Sequence, residues 1–387
     1  MVIAFCVFPF LFALHIFLAT DLSKSFKVKT ILACCILAAI PITTWKVYRD
    51  FLWSNVPAPL LALQGASVCC VLLLAIAMIL YDIAYVVQKF KCFQKTKYSP
   101  ARRKFLTTAG YIAVSGVTAT GFSCTGVQNG FAVPEIHVME KEIANLPRKL
   151  DGLRICYVSD IHVGPITTRD WLDRTIARII AARPDCICLG GDLSDGKPYT
   201  ITDGIPRAEL FMRLKNLSAP CGIFTCIGNH EYYGDYLTWM KVYKEAGITV
   251  LHNTWKELNY NGTPFTVLGR DDIQIGTNKT AKELFASMPK NQLSILLDHR
   301  PVRAEENAQV ADLLLSGHTH GGQIIGLNRV VAKANKGYVS GWYTVAGKDL
   351  YVSTGAGLWA GFPVRLGVPA EIAIIDLGCP SIEAGSI

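Results

Sequence analysis

Five short motifs that combine histidine with acidic or amide residues occur in order along this 387-residue chain. Each motif directly follows an apolar run that is typical of a buried β-strand. Because open α/β sheets build their sites where strands end, we expect the polar residues to converge at one sheet edge. The apolar runs are Leu153–Ser159, Cys186–Leu189, Ile223–Ile227, Leu293–Leu297 and Ala311–Leu315. The motifs are Asp160-Ile161-His162, Gly191-Asp192, Gly228-Asn229-His230, Asp298-His299 and Gly317-His318-Thr319-His320.

These motifs contain five of the chain's eight histidines. Imidazole and carboxylate groups are suitable ligands for Mn, Fe or Zn ions. Taken singly, such a histidine or turn residue often has only a structural role, for example in satisfying backbone groups. The complete set favours metal binding, and it offers enough groups for two ions. Glycines at the strand exits, such as Gly191, Gly228 and Gly317, would permit sharp turns close to a metal.

The N-terminal part of the chain is more apolar than the remainder. A mean hydropathy of +0.31 and a charged fraction of 18% are unusual for an ordinary soluble protein. Four mainly apolar segments approach or reach the roughly 20 residues that span hydrocarbon. They predict a membrane region over residues 1–127 with three to four transmembrane helices. The segments are Val2–Ala19, Ile31–Thr44, Leu60–Val87 and Phe105–Val127.

Basic residues between these segments predict a multi-pass orientation. Three lysines follow the first segment and seven Lys or Arg residues lie between Lys89 and Lys104, so both connections should face the cytoplasm. With four spans, the rest of the chain emerges on the outer side. The pair Arg102-Arg103 is typical either of a twin-arginine export signal or of a basic membrane flank before a helix, and both interpretations stay open.

The net positive charge of the chain lies in its N-terminal part. Up to Cys124 there are twelve Lys and Arg residues against three acidic ones, a balance of +9, which leaves −1 for the rest of a chain whose net charge is +8. The basic character therefore indicates membrane topology. A nucleic-acid partner is not expected, because it would require a clustered basic face on the folded domain.

Residues 128–387 have the pattern of one α/β domain. Helical stretches alternate with the early strands, near Arg169–Ala182, Pro206–Leu217, Tyr236–Ala246 and Ala281–Met288. Closer to the C-terminus, strands are predicted at Gln323–Ile325, Gly337–Tyr343, Leu350–Ser353 and Ala370–Asp376. We expect two sheets packed together with helices outside.

The ordered motifs resemble those of the calcineurin-like metallophosphoesterases, including a membrane-anchored bacterial branch, over roughly Ile136–Leu377. The resemblance implies a four-layer αββα sandwich, here preceded by N-terminal transmembrane helices, and a binuclear metal centre. It implies a metal-dependent phosphoester hydrolase. Together with the apolar segments and the basic residues between them, this predicts an enzyme in the bacterial cytoplasmic membrane with its catalytic domain on the periplasmic or extracytoplasmic side. The motifs that carry the resemblance contain Asp160 and His162, Asp192 and Asp195, Asn229 to Glu231, Asp298 and His299, and His318 to Gly322.

The resemblance also implies a role for each motif residue. Asp160, His162 and His320 would hold one divalent ion, and Asn229, His299 and His318 the other, with Asp192 bridging both. His230 would be the catalytic residue that stabilises the transition state and protonates the leaving oxygen. Its alternative role is that of a loop histidine satisfying backbone groups. For Asp195 and Glu231, orientation of the metal-binding histidines and a solvated loop position are equally compatible with the sequence.

The substrate is less well defined. The apolar loop Gly355–Pro363 could border the pocket, contact a bilayer or simply pack in the core. A small-molecule or lipid-linked phosphoester or pyrophosphate is the expected substrate. The alternatives are a nuclease of the same superfamily and a noncatalytic metal-binding interaction module. Oligomeric state, native metals and the choice between monoester and diester are not predicted.

Overall fold

The computed structural model describes residues 58–91, 100–275 and 277–380. The predicted membrane segments Val2–Ala19 and Ile31–Thr44 lie outside these residues. The other two predicted segments fall on two long helices, α1 (Ala58–Lys91) and α2 (Pro100–Gly130). Among the helices that the structure describes, none combines the length and the apolar character needed to cross a membrane. Gly, Ser and Thr residues are frequent in α2 and lower its apolar content. The described helices therefore do not support the predicted multi-pass region.

The described residues form two compact units. Those up to Asn129 belong to the first unit together with Gly361–Leu366, whereas Gly130–Ala360 and the chain from Gly367 onward form the second. Within the first unit, the backbone N–H of Arg365 donates to the carbonyl of Gly126 at 2.8 Å. The side-chain amide of Gln64 donates to the carbonyl of Gly361 at 3.2 Å. A short C-terminal segment thus packs with the N-terminal helices, which the sequence did not indicate.

Fourteen strands are described in the second unit, and twelve of them form two six-stranded mixed sheets. The first sheet has the strand order β1-β14-β2-β3-β6-β7, and the second has the order β12-β13-β11-β10-β9-β8. The bounds are β1 (Glu135–Glu142), β2 (Arg154–Val158), β3 (Cys186–Leu189), β4 (Ile201–Thr202), β5 (Ile205–Pro206), β6 (Ile223–Thr225), β7 (Thr249–Val250), β8 (Thr254–Tyr260), β9 (Thr263–Arg270), β10 (Ser294–Asp298), β11 (Leu313–Ser316), β12 (Gly341–Val345), β13 (Lys348–Val352) and β14 (Glu371–Gly378).

The strands that lead to the motifs are parallel within their sheets. In the first sheet β2 pairs with β3 and β3 with β6, and Val158 lies opposite Leu189. In the second sheet β10 pairs with β11, and Leu297 lies opposite Leu315. Parallel strands of one sheet have their carboxyl ends at the same edge. The residues that follow these strands are therefore brought together, as expected.

The helices of the second unit are short apart from two. The helix α3 begins after Thr168, whose side chain accepts a hydrogen bond from the backbone N–H of Trp171 and caps the helix. Its apolar residues recur at helical spacing and are buried on one face. The remaining bounds are α3 (Arg169–Ala181), α4 (Arg207–Phe211), α5 (Asn229–Tyr233), α6 (Tyr236–Glu245), α7 (Ala281–Leu284), α8 (Ala304–Asn307) and α9 (Asn328–Ala334), with short 3-10 helices at Arg148–Leu150, Met212–Asn216, Pro301–Arg303 and His320–Gly322.

Three apolar cores show how the layers are stacked. Successive side chains of a strand point to opposite faces, so Tyr157 of β2 packs between the two sheets while Val158 packs against the helices outside the first sheet. The middle core also contains Val267 and Leu297 of the second sheet. A third core joins the outer face of that sheet to α7 and α8. The second unit is an α/β fold with two mixed sheets between helices, as predicted.

Candidate metal centre

The predicted ligands converge at the carboxyl ends of the central strands. Asp160 and His162 follow β2, Asp192 follows β3, and Asn229 begins α5 just after β6. The remaining candidates, His299, His318 and His320, follow β10 and β11 of the other sheet. Backbone hydrogen bonds connect the segments that follow neighbouring strands. For example, the N–H of His162 donates to the carbonyl of Asp192 at 3.0 Å. Both sheets therefore contribute side chains to one buried cluster.

The first group of ligands consists of Asp160, His162 and His320, which are all buried. Their ligating atoms lie within 4.8 Å of one another. The Nε2 atoms of His162 and His320 are 3.2 Å apart, and Oδ1 of Asp160 lies 3.7 Å and 3.5 Å from them. This spacing of two imidazole nitrogens and a carboxylate oxygen suits a divalent ion with N and O ligands.

A second group contains Asp192, His299 and His318. His299 Nε2 lies 3.1 Å from Asp192 Oδ2, while His299 Nδ1 is bonded to the carbonyl of Gly190 at 2.8 Å. Since that carbonyl can only accept, Nδ1 carries a proton, and Nε2 is the nitrogen that would bind an ion once its own proton is lost. Asn229 Oδ1 is also buried and has no hydrogen-bond partner among the described residues. An amide oxygen without a donor is costly to bury unless a cation lies beside it, so these residues fit a second ion.

Asp192 lies between the two groups. Its Oδ2 is 3.1 Å from His299 Nε2 of the second group and 3.9 Å from His162 Nε2 of the first. Its Oδ1 accepts from the backbone N–H of His230 at 2.8 Å, which fixes the carboxylate in this orientation. A carboxylate in this position lies close to both groups of candidate ligands.

Burial and mutual charge perturb the titration of the cluster. Burial opposes the charged form of Asp192, yet the neighbouring histidines, with His299 first, outweigh it and hold the pKa of this carboxyl well below its usual range. Burial likewise opposes the imidazolium of His299, but Asp192 raises its pKa to about 10. The pKa of His318 is held well below its usual value by burial and by the positive charges of His299 and Arg300. The carboxylates thus attract positive charge, which metal ions can supply in place of protons.

His230 lies close to this cluster, with a ring nitrogen within 4.8 Å of ligating atoms of His162 and Asp192. Its Nδ1 lies 2.6 Å from Asp195 Oδ1, and its Nε2 lies 3.9 Å from Asp192 Oδ2. Burial disfavours its charged form, but Asp192 and Asp195 more than compensate and raise its pKa to about 9. The ring is 11% exposed, so a bound molecule can reach it. This position is compatible with the predicted role of proton donor.

Asp195 and Glu231 orient the site and are not solvated loop residues. Oδ1 of Asp195 accepts from Nδ1 of both His162 and His230, at 2.8 Å and 2.6 Å. Glu231 accepts from the backbone N–H groups of Asp192 at 3.1 Å, Leu193 at 2.7 Å and Gly228 at 2.9 Å. Both carboxylates are fully buried. Between them they fix two histidines and the turn that carries the proposed bridging aspartate.

The backbone of the site is unusual. Five of the seven candidate ligands have a left-handed conformation although none is glycine: Asp160, His162, Asp192, His318 and His320. Such residues persist where the surroundings hold them, and they are concentrated at functional sites. Glycine is required beside them: a Cβ at Gly317 would overlap the side chains of Ser159 and Asp160, and one at Gly228 would overlap Asp192. The motif glycines therefore permit a closer approach than any other residue would.

Three further residues belong to the site although the sequence motifs did not assign them to it. Ser159 donates from its hydroxyl to Asp160 Oδ2 at 2.6 Å. The rings of Tyr233 and Trp359 lie beside His230, with centroid separations of 5.2 Å and 6.2 Å. Tyr233 follows His230 by three residues in the same helix, and this spacing was the available signal. Trp359 belongs to the apolar loop whose place had been left open.

Comparison with known proteins identifies the family. The family described as calcineurin-like phosphoesterase matches residues 153–322, which include every candidate ligand. An uncharacterized metallophosphoesterase of Helicobacter pylori is 31% identical over 348 residues, covering 86% of this chain and 85% of its own length. The chain therefore belongs to the calcineurin-like phosphoesterase family.

Two other relatives show the breadth of the similarity. An uncharacterized metallophosphoesterase of Bacillus subtilis, YkuE, is 30% identical and covers 72% of this chain and 97% of its own length. A bovine protein named "Transmembrane protein with metallophosphoesterase domain" is 30% identical, covering 68% of this chain and 62% of its own length. The relatives include animal proteins, so the narrower expectation of a bacterial branch stays a prediction.

Proposed function

We propose that this chain hydrolyses phosphoesters with a pair of divalent ions, Mn, Fe or Zn, held by the seven candidate ligands and bridged by Asp192. The observation that carries the proposal is the position of Asp192 Oδ2 within reach of His299 on one side and His162 on the other. Asp160, His162 and His320 would hold the first ion, and Asn229, His299 and His318 the second. Membership in a family of phosphoesterases supports the reaction class.

When bound, such a pair activates a water molecule and neutralises charge on the phosphoryl oxygens. The protein's own residues supply the remaining functions. Asp195 holds Nδ1 of His230 and favours its charged form, so Nε2 can carry a proton to the leaving oxygen. The carboxylate of Glu231 accepts a hydrogen bond from the backbone N–H of Asp192 and keeps that backbone in place. No covalent intermediate with the protein is required.

The proposed substrates are small-molecule or lipid-linked phosphoesters and pyrophosphates. Association with a membrane, with the catalytic domain on its outer side, is retained as a proposal that rests on the four apolar segments of the sequence, on the basic residues between them and on the name of the bovine relative. Reporter enzymes fused after Lys95 and after Ile387 test it. A cytoplasmic signal at Lys95 with an exported signal at Ile387 supports this placement, and a cytoplasmic signal at Ile387 refutes the outer location.

The experiment that tests the reaction uses the purified full chain, stripped of metal and reloaded with Mn²⁺, Fe²⁺ or Zn²⁺. Phosphate release is measured from phosphomonoesters, phosphodiesters, nucleotide sugars and phospholipids. His230→Ala should retain its metals but lose about 10²- to 10⁴-fold in turnover, as expected for a lost acid–base group. The control is His252→Ala, because His252 is exposed and bonds to Asp271 away from the ligands. Equal turnover of the two variants would remove His230 from the mechanism.

Two alternatives are separated by the same screen. A nuclease would release nucleotides from single- or double-stranded nucleic acid faster than phosphate from any small ester. A noncatalytic module would bind both metals without turning over any substrate. Hydrolysis of small esters that is lost in His230→Ala would exclude a noncatalytic module, and hydrolysis of small esters that is faster than that of nucleic acid would exclude a nuclease as the main function.

A further inference from the structure

Two aromatic rings flank the proposed proton donor. The ring centroid of Tyr233 lies 5.2 Å from that of His230 at an interplanar angle of 53°, and the ring of Trp359 lies 6.2 Å away at 63°. These tilted arrangements are favourable aromatic contacts. Neither ring touches the candidate ligands in the ring contacts of the described residues. Both lie against the one residue of the site that is expected to act on the leaving group.

Both rings are held in place by the fold. The hydroxyl of Tyr233 donates to Oε1 of Gln274 at 3.0 Å, which fixes the orientation of the ring. Trp359 belongs to a loop that is attached to the exit of β2, because the backbone N–H of Gly357 donates to the carbonyl of Asp160 at 2.8 Å. A Cβ at Gly357 would overlap the carbonyl of Ile161, so this attachment is close. The rings are therefore preorganised relative to the metal ligands.

The rings are also accessible. Tyr233 is 45% exposed, and Trp359 is half-buried. Aromatic rings that remain partly exposed at a fixed site offer apolar surface to a bound molecule, since burying apolar surface contributes about 25 cal/mol per Å². Ile273 and Ile275, on either side of Gln274, are exposed as well. Apolar side chains are therefore also exposed on the segment that Tyr233 contacts through Gln274.

The chemistry of the reaction determines which part of a substrate meets these rings. In an in-line displacement at phosphorus, the group that protonates the leaving oxygen must lie within hydrogen-bond reach of it. Side chains packed against that group consequently contact the substituent on the leaving oxygen. Groups on the non-leaving side would instead lie over the metal ions.

We propose that Tyr233 and Trp359 form an apolar cleft for the leaving alcohol, and that the preferred substrates are phosphoesters whose leaving alcohol carries an apolar group next to the ester oxygen. This inference rests on the proposed function, because it assumes that His230 faces the leaving oxygen. An aryl ring and an acyl chain share the required chemistry. A small polar alcohol would leave both rings in contact with water and would gain nothing from them.

The test compares three leaving alcohols on one transferred group. Phenyl, octyl and methyl esters are made of whichever group the metal-loaded wild type hydrolyses faster, phosphate or methyl phosphate. In Tyr233→Ala and Trp359→Ala, kcat/KM for the phenyl ester should fall about three- to tenfold, mainly through KM, as expected for a lost aromatic contact. The methyl ester should change by less than about twofold. The intrinsic reactivity of each ester cancels when kcat/KM of a variant is divided by that of the wild type. This ratio, compared between esters, therefore measures the contribution of the cleft.

Control variants separate the ring from other effects. Tyr233→Phe retains the ring and should retain the phenyl preference, although it loses the bond to Gln274. Trp255→Ala removes an indole on β8, whose Nε1 bonds to Ser287, and should change all three esters equally or not at all. A loss shared by the phenyl and octyl esters supports a cleft that accepts any apolar group, and a loss confined to the phenyl ester supports one that stacks planar groups. An equal loss for all three esters in Tyr233→Ala and Trp359→Ala would overturn the proposal, as would no loss.

A binding measurement keeps the inference testable if hydrolysis is not found. Phenylphosphonate and methylphosphonate differ only in the apolar group and are not hydrolysed. The metal-loaded wild type should bind phenylphosphonate more tightly, with a change in tryptophan fluorescence that is absent in Trp359→Ala. An inactive wild type would refute the proposed function alone, whereas equal affinity for the two phosphonates would refute the cleft.

Discussion

Replacement of Asp195 affects a candidate metal ligand and the proposed proton donor at the same time. Its Oδ1 accepts from Nδ1 of His162 at 2.8 Å and of His230 at 2.6 Å, so one oxygen orients a metal ligand and the proton donor together. Its Oδ2 is buried without a hydrogen-bond partner among the described residues. Asp195→Asn can therefore keep an accepting oxygen between the two rings while it removes the negative charge. Asp195→Ala removes the oxygen as well.

The expected magnitudes follow from these two bonds. A hydrogen bond to a charged group contributes about 1.5–3 kcal/mol, and a neutral one about 0.5–1.5 kcal/mol. Each histidine thus loses roughly 1–1.5 kcal/mol in Asp195→Asn, which corresponds to about tenfold in metal affinity at the His162 position and about tenfold in turnover. In Asp195→Ala, two buried ring N–H groups lose their acceptor, and we expect losses of about 100-fold in each quantity.

The assay measures metal affinity by competition with a chromogenic chelator and turnover at saturating metal. Melting temperature is recorded in parallel, since the side-chain amide introduced by Asp195→Asn places an NH₂ group where Oδ2 has no partner. The matched control is Asp203→Asn, because Asp203 also accepts hydrogen bonds, from Arg169, but lies outside the cluster. If Asp195→Ala stays within about twofold of wild type in both affinity and turnover, the orienting role is wrong.

Three further predictions concern the metals and the backbone around them. Asp192→Asn should lower metal content at both positions, and full occupancy measured by elemental analysis would contradict the bridging assignment. The pKa of His299 is raised to about 10 without metal, so its imidazolium must lose a proton when a metal binds. Calorimetry near pH 8 in buffers of different ionisation enthalpy should therefore detect release of about one proton per chain or more. The apparent metal affinity should also rise with pH. A binding enthalpy that is independent of the buffer would refute this. Gly317→Ala should lower both the melting temperature and metal content, since its Cβ would overlap Ser159 and Asp160, whereas Gly121→Ala, in open space on α2, should do neither. Equal behaviour of the two glycine variants would contradict the packing argument.

Much of the fold could be predicted because its central strands are buried on both faces. Such strands are continuous apolar runs, and the runs at Cys186–Leu189 and Leu293–Leu297 coincide with β3 and overlap β10. The edge strand β8 was not predicted, since one of its faces is exposed and its sequence is mostly polar. The strand predicted at Gln323–Ile325 is wrong. Gly321, Gly322 and Gln323 all have positive φ there and turn the chain out of an extended path.

The site was predictable in its residue types and only partly in its geometry. The order of the motifs indicated which side chains would meet, because each follows a strand of one of two sheets. The double hydrogen bond of Asp195 could not be read from the sequence, since its partners are 33 and 35 residues away and their proximity depends on the folded sheet. The membrane prediction rested on the lengths of the apolar segments and on the basic residues between them. The described helices do not support it, and the first two segments lie outside the described residues.

Anomalous X-ray scattering from crystals of the full chain loaded with Mn²⁺ tests the central claim most directly. Two anomalous peaks about 3.5–4 Å apart are expected. One should lie among Asp160, His162 and His320, and the other among Asn229, His299 and His318, with a carboxylate oxygen of Asp192 within bonding distance of both. A single peak at full metal loading, or a pair of peaks with Asp192 bound to neither or only one of them, would contradict the proposed binuclear centre.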